Sequence, residues 1–381
     1  MANTLKFGNE NWATKKDSIL AYNDENANFK PLPFVTSRAS TATRVNKAGL
    51  LETVGVGIPR VDYLGNTKGA YLLEPRSTNL VLNSSEGDYG NSPASTLNTI
   101  SPDGTLNAFR PIPNDLADRY QYNISSNTYA TNTKLTYSWY RKRLEVPFNS
   151  SYVGDLNIAN LINTTQVGLT NQIQSDVNGF DRFQAVLNIT DGSVTALVRG
   201  YFGYIIGLGN SSIAYFGHQL EQGSYATSYI PTAGSAITRL SDDAPNYLNL
   251  NPLNIGNSYT LFLDAELNNV AINKVFGSIS NSASVLSFTF RITLGQLRLY
   301  NNLNALYPVG NLPSSTNKWA IRIDGNSYRI FGADSSLFGV LPTARNFGQI
   351  QFYGTATELK INNFNIYNTA LSDAECQALV N

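Results

Sequence analysis

The chain has 381 residues, and its 27 Lys and Arg balance its 27 Asp and Glu to a formal net charge of zero. Only 14% of the residues are charged, and the absence of a basic run argues against binding to nucleic acid or to an anionic membrane surface. The single Cys and the single His exclude an intrachain disulfide, a thiolate metal site and a multi-histidine metal site. The length predicts two or three domains. We predict no cofactor and no metal-ligating residues.

Uncharged polar residues supply the missing polarity, because Asn, Ser and Thr are abundant beside 22 Tyr and 18 Phe. Asn favours turns over helices, since its side chain competes for backbone hydrogen bonds. This composition predicts a turn-rich β protein. No apolar run reaches the roughly 20 residues of a membrane span, and the first 20 residues lack the apolar stretch of a signal peptide. We therefore expect a soluble chain that is made in a cytoplasm and makes no membrane contact.

The N-terminal stretch, residues 1–45, shows no sustained periodicity and is interrupted by Pro31 and Pro33. Pro favours extended backbone at its own position and at the residue before it, so the sequence predicts an extended arm. Such an arm must bury its large aromatic side chains either on the later domains of its own chain or on a partner subunit. Both alternatives stay open, and the predicted anchoring residues are Trp12, Tyr22, Phe29 and Phe34.

Short apolar runs separated by turn residues come next and predict strands. Residues 44–82 contain brief strands, and residues 84–105 form a loop-like boundary. Between residues 105 and 240, segments such as 135–140 and 183–189 are rich in apolar and β-branched residues. The turn clusters between them have the spacing of an antiparallel sandwich.

A linker at residues 241–246 precedes a region of regular two-residue alternation. Residues 259–267 and 286–294 place their apolar side chains on one face, which predicts sheets with one buried and one solvated face. Residues 372–375, Ser-Asp-Ala-Glu, form a capping-box pattern that begins a short C-terminal helix.

The predicted fold class is therefore all-β, with an extended N-terminal arm, two antiparallel β-sandwiches and one short C-terminal helix. We assign residues 1–85 to the arm and its short strands, for attachment and oligomerisation. Residues 86–243 form the first predicted sandwich and residues 247–381 the second.

Sequence signatures of catalysis are missing: there is no nucleophile elbow, no dinucleotide loop, no Walker A motif and no EF-hand loop. Asp264 and Glu266 lie two residues apart on one strand, near the spacing of a retaining glycosidase pair. Their apolar neighbours hold the core face, so both acids are expected to point away from it. His218 is interpreted as a core histidine and Cys376 as a small packing residue. We predict no catalytic residue and no enzyme activity.

One segment has the composition of a sugar-binding loop. Asn amides exchange hydrogen bonds with hydroxyl groups, and Tyr rings stack on the apolar face of a pyranose. Residues 300–307 combine both types, although an ordinary loop between strands has the same composition. The predicted ligand-binding residues are Tyr300, Asn301, Asn302 and Tyr307.

Three groups of segments resemble known proteins. Residues 37–46, 49–52, 59–62 and 72–80 resemble the opening of many tailed-bacteriophage virion proteins. Residues 219–232, followed by Thr238 and Arg239, are similar to the closing strand of the jelly-roll, carbohydrate-binding-module-like domain in those proteins. Residues 364–375 are similar to the last strand and helix of concanavalin A-like (laminin-G-like) sandwiches.

This resemblance implies a jelly roll followed by a concanavalin A-like domain in a structural protein displayed on a virion surface. The members of this class are head fibres, capsid decorations and tail fibres. They are often trimeric, so the implied partners are other virion proteins of the capsid or tail, further copies of the chain and host glycans. We expect a head fibre or capsid decoration that adheres weakly to glycans of the host surface or mucus. The alternatives are a tail-borne receptor-binding protein, a polysaccharide depolymerase and a spacer that binds no ligand.

Overall fold

The structure is a computed structural model of the chain. It describes residues 4–10, 12–15, 18–23, 27–85, 96–110, 120–144, 157–158, 164–166, 171–190, 196–202, 213–242, 248–249, 255–268, 274–280, 286–293, 296–300, 318–333, 335–340, 349–352 and 358–381.

The described residues form strands and one helix. In chain order, the first strands are β1 Thr4–Gly8, β2 Ala13–Lys15, β3 Ser18–Asn23, β4 Asn28–Val35, β5 Ala42–Val45, β6 Leu51–Val54, β7 Val61–Asp62, β8 Ala70–Leu73, β9 Ser77–Asn79, β10 Thr96–Thr99, β11 Ala108–Arg110, β12 Tyr120–Asn127, β13 Lys134–Arg143, β14 Asn157–Ile158 and β15 Thr164–Gln166. The later elements are β16 Asn171–Val177, β17 Phe180–Ile189, β18 Ala196–Phe202, β19 Ile213–Gln222, β20 Ile237–Arg239, β21 Leu248–Asn249, β22 Ser258–Asn268, β23 Lys274–Ser280, β24 Leu286–Thr293, β25 Gln296–Tyr300, β26 Lys318–Asp324, β27 Ser327–Gly332, β28 Ser335–Val340, β29 Gln349–Phe352, β30 Glu358–Tyr367 and α1 Asp373–Val380.

The predicted fold class is confirmed: the sheets are antiparallel and one short helix lies near the C-terminus. The chain divides into two compact units, each built from separate stretches of sequence. Unit 1 comprises Met1–Thr41, Val54–Arg76 and Leu240–Asn381, and unit 2 comprises Ala42–Thr53 and Ser77–Arg239. Each unit thus joins stretches that are distant in sequence, because strands pair across long sequence separations. The three ranges expected from the sequence stay a prediction.

Unit 1 contains an 11-stranded sheet and a five-stranded sheet. The larger sheet runs β2-β3-β1-β30-β22-β26-β27-β28, with β4 on β3, β8 on β30 and β7 on β8. The smaller sheet has the order β21-β29-β23-β24-β25. Phe352 of β29 meets Phe364 of β30 edge to face at 5.3 Å, so side chains of both sheets share one apolar core.

Two-residue alternation positions the strands of that core, as the sequence predicts. Leu261, Leu263 and Ala265 of β22 all point into it. The opposite face differs from the solvated face that was expected, because Phe262 is buried there as well. It packs with Cys376 of α1, so the helix covers this part of the sheet.

The N-terminal residues contribute a strand to the same sheet. β1 pairs with β3 on one side and with β30 on the other, with Phe7 opposite Phe364. Leu5 and Phe7 are 2% and 4% exposed and belong to the unit 1 core. Over Thr4–Gly8 the backbone is extended as predicted, and it forms a hydrogen-bonded strand of unit 1.

Unit 2 is built on a seven-stranded sheet with the order β10-β11-β19-β13-β17-β15, to which β16 adds through β17. A three-stranded sheet has the order β12-β18-β14, and β9 pairs with β20. Leu135, Tyr137 and Trp139 alternate along β13 into an aromatic core. The strands predicted at residues 135–140 and 183–189 are both present.

Helix α1 begins where the sequence predicts. The hydroxyl of Ser372 accepts a hydrogen bond from the backbone of Glu375, and the Glu375 carboxylate accepts one from the Ser372 backbone. Cys376 is fully buried, and burial raises the pKa of its thiol to about 11, which confirms its interpretation as a packing residue. No helix in the described ranges is long and apolar enough to cross a membrane.

Candidate functional site

The predicted sugar-binding loop falls mostly outside the described residues. Tyr300 ends β25, where it pairs with Thr289 of β24. Asn301, Asn302 and Tyr307 lie outside the described residues. The proposal of a binding role for these four residues therefore stays a prediction.

The predicted anchoring residues lie in or beside the N-terminal strands of unit 1. The indole of Trp12 donates a hydrogen bond to the carbonyl of Gly69 at 2.9 Å and packs against the core of its own unit. Tyr22 and Phe29 meet edge to face at 5.3 Å, and Phe29 is 43% exposed. Phe34 lies on β4. A role in contacting a partner stays a prediction for all four.

His218 lies in the core of unit 2, as expected. It is fully buried, its Nδ1 lies 2.5 Å from the hydroxyl of Tyr137, and its ring lies 5.4 Å from that of Phe109. Burial lowers the pKa of His218 to about 3, so the imidazole is neutral near pH 7. The side chain is a packed, hydrogen-bonded core residue.

Asp264 and Glu266 point away from the core, also as expected. A β-bulge between β22 and β30 leaves Asn362 without an opposite residue. Its side-chain amide donates to Asp264 at 3.4 Å and to Glu266 at 3.1 Å, and its carbonyl oxygen accepts from Asn66 at 3.1 Å. Burial raises the pKa of Asp264. The two carboxylates are thus hydrogen-bonded by a bulge side chain that fixes the local strand geometry.

A buried ionic cluster lies in unit 1, and residues 37–46, 59–62 and 72–80 supply three of its four members. Arg38, Arg60, Glu74 and Asp242 are at most 2% exposed. Asp242 accepts from Arg38 at 2.7 Å and also pairs with Arg60, which contacts Glu74 at 2.7 Å. Burial works to lower the pKa of Arg60, but the carboxylates of Asp242 and Glu74 outweigh burial and raise that pKa above its usual range. Three of these four residues lie within the resembling segments, where they hold the fold together.

A second buried polar network lies in unit 2 and involves residues 219–232. The side chain of Asn79 donates to the carbonyls of His218 and Ile230 at 3.1 and 2.8 Å. Gln219 accepts from the backbone of Ile230 at 2.6 Å, and Glu221 accepts from the backbone of Thr227 at 2.9 Å. These bonds hold residues 227–232 against the sheet.

That segment forms part of a pocket of about 440 Å³ that lies entirely within unit 2. Ligand clefts in proteins occupy roughly 300–1,000 Å³. Besides residues 229–233, the walls come from the β5–β6 hairpin, the turn near residue 103 and β20. The residues that line this unit 2 pocket are Thr43, Leu51, Thr53, Ser85, Asp103, Asn107, Phe216, Tyr229, Pro231, Thr232, Ala233 and Ile237.

Hydrogen bonds fix the buried part of the pocket wall. The hydroxyl of Ser84 lies 2.7 Å from that of Tyr229 and accepts from the backbone of Thr232 at 2.8 Å. Thr43 donates to the carbonyl of Tyr229 at 2.6 Å. This wall is therefore formed before any ligand arrives, which lowers the entropic cost of binding.

Asp103 brings a carboxylate to the pocket wall. Its Oδ1 atom accepts from the Thr105 backbone at 2.9 Å, from the Thr105 hydroxyl at 2.7 Å and from Ser101. Its Oδ2 atom has one long contact of 3.5 Å, with the amide of Asn107. Partial burial works to raise the pKa of Asp103, but the hydrogen bonds from Ser101 and Thr105 lower it below its ordinary value. Asp103 is thus an ionised carboxylate with acceptor capacity left on Oδ2.

No local pattern in the sequence predicts this pocket. Asp103 lies in a turn and precedes Gly104, which has a φ of +84°. Tyr229 lies in residues 219–232, and the similarity of that segment to a carbohydrate-binding-module-like domain was the one sequence signal that pointed to this region. The pocket joins residues from Thr43 to Ile237, and spacing along the chain does not reveal such an assembly.

Comparisons with known proteins give structural likenesses alone. No protein-family model and no curated protein matches the chain. Among solved structures, the CBM40 of Ruminococcus gnavus IT-sialidase bound to α2,3-sialyllactose is similar at 13% identity and a TM-score of 0.28, over 34% of this chain and 85% of that one. The full extracellular region of zebrafish Gpr126/Adgrg6 is similar at 11% identity and a TM-score of 0.27, over 68% of this chain and 37% of that one.

Proposed function

We propose that the chain is a non-enzymatic structural protein displayed on the surface of a tailed-bacteriophage virion, as a head fibre or capsid decoration, and that unit 2 binds glycans weakly. The three groups of resembling segments support the virion part of this proposal. The unit 2 pocket carries the glycan-binding part.

The chemistry of the pocket suits a sugar. A carboxylate and an amide, from Asp103 and Asn107, offer acceptors and donors to hydroxyl groups. Pro231 and Ile237, which is 41% exposed, offer apolar surface to the C–H groups of a pyranose ring. One wall is held by the hydrogen bonds of Ser84, so the site is preformed.

Glycan binding by the full chain is tested on a glycan array under conditions that detect dissociation constants in the millimolar range. Thr53 is an exposed pocket residue, and the Thr53→Trp substitution should fill the pocket and lower binding at least about tenfold. Gln222→Trp is the matched control, because Gln222 is exposed in the same unit and does not line the pocket. A blank array would contradict glycan binding and favour the spacer alternative.

The place of the chain on the particle is tested by immunogold electron microscopy of virions whose genome encodes it. We expect gold on the heads, and antibody absorbed with purified chain serves as the control. Gold on the tails would favour the receptor-binding alternative. Purified particles that neither bind the antibody nor contain the chain by mass spectrometry would overturn the virion assignment.

A further inference from the structure

The charges of the unit 2 pocket determine which sugars it can accept. Among the twelve described residues that line it, Asp103 is the one that carries a formal charge near pH 7, and the others are hydroxyl, amide, aromatic or aliphatic residues. No Lys, Arg or His stands among them. An anionic ligand would therefore meet a negative charge in the pocket, and no side chain among the described lining residues is a cation that offsets it.

Hydrogen bonds within its own turn stabilise the ionised carboxylate of Asp103. Three donors from Ser101 and Thr105 converge on Oδ1, and they favour the ionised form. Within the described part of the chain, Oδ2 has only the 3.5 Å contact with Asn107. A neutral sugar hydroxyl can donate to this oxygen in a charge-assisted hydrogen bond, which is shorter and stronger than a bond between neutral groups.

We infer that the unit 2 pocket selects glycans by charge: it binds neutral sugars through the Asp103 carboxylate and excludes sugars that carry carboxylate or sulfate groups. This inference rests on the proposed glycan-binding function and specifies its ligand class. A negative charge placed beside Asp103 is repelled across a short distance in a partly desolvated site, where screening is weak. Like-charge contacts of this kind discriminate between otherwise equivalent ligands by at least about tenfold.

The test compares neutral glycans with their acidic derivatives. The full chain is applied to an array that pairs each neutral oligosaccharide with its sialylated and its sulfated derivative, and the pairs that give signal are then titrated by calorimetry. We expect the neutral member of each pair to bind at least about tenfold more tightly. Asp103→Asn keeps an acceptor for Ser101 and Thr105 but removes the charge, so it should weaken binding of the neutral member and reduce the ratio severalfold.

Asp176→Asn is the control, because Asp176 is exposed, lies in the same unit and does not line the pocket. Its φ of +55° suits Asn as well as Asp, so this variant should keep the wild-type ratio. Acidic glycans that bind as tightly as their neutral partners would overturn the charge selection, and so would an unchanged ratio in the folded Asp103→Asn variant. In either case glycan binding itself would stand. An array on which no glycan binds would instead overturn the proposed function and this inference with it.

Discussion

Replacing Asp242 by Asn is expected to lower the free energy of unfolding of unit 1 by about 3–5 kcal/mol. The carboxylate of Asp242 contacts both Arg38 and Arg60, and all three side chains are almost completely buried. The substitution removes one carboxylate of the cluster and leaves Glu74 beside two guanidinium groups, so positive charge is in excess in the interior, where charge imbalance is costly. Urea unfolding followed by tryptophan fluorescence measures the loss, since Trp12 and Trp319 lie in unit 1, and Trp139→Phe in both proteins removes the signal of unit 2.

A matched control is available in the same unit. Asp373 also pairs with two arginines, Arg322 and Arg329, but its side chain is 51% exposed. Water screens this carboxylate, so Asp373→Asn should lower the free energy of unfolding by at most about 1 kcal/mol. This figure includes the loss of the favourable interaction between the carboxylate and the N-terminus of α1. Equal losses in the two variants would show that burial of the Asp242 cluster has no special effect on stability.

Acidification should destabilise unit 2 through His218. In the unfolded chain this imidazole takes up a proton below its ordinary pKa of about 6.5, whereas burial lowers the pKa in the folded protein to about 3. Between these two values the unfolded state binds one more proton than the folded state. The contribution of His218 to stability is therefore complete above pH 6.5 and falls by roughly 1.4 kcal/mol for each pH unit below it.

The His218→Gln variant separates this effect from the titration of carboxylates, which both proteins share. We expect the wild-type protein to lose stability more steeply than the variant between pH 6.5 and 4.5. Hydrogen exchange of β13, which contains Tyr137 and Trp139, reports on unit 2 at each pH. Parallel pH profiles for the two proteins would contradict the role given to His218, whatever the offset between them at pH 7.

Local patterns in the sequence predicted the fold class and many strands. Alternation along β22 placed Leu261 and Leu263 in the core because a strand buries every second side chain. The capping box predicted the start of α1 because it satisfies backbone groups within one helical turn. His218 was predicted as a core residue because it lies in an apolar strand segment.

The features that the sequence did not predict depend on contacts between distant segments. Phe7 and Phe364 lie opposite each other in the sheet, but nothing in either segment specifies the other as its partner. The hairpin of β5 and β6 contributes Thr43 and Thr53 to the unit 2 pocket, far along the chain from Tyr229. Pairing of this kind is determined by tertiary packing and not by local propensity.

The place of β1 in the sheet has a consequence for protein synthesis. A ribosome delivers the chain from its N-terminus, so unit 2, which ends at Arg239, is complete before β30 is made. At usual elongation rates the interval between Arg239 and Tyr367 lasts on the order of 10 s. During that time Leu5 and Phe7 have no β30 to pair with, and a nascent chain that stops before Glu358 leaves one edge of this apolar strand open to other polypeptides.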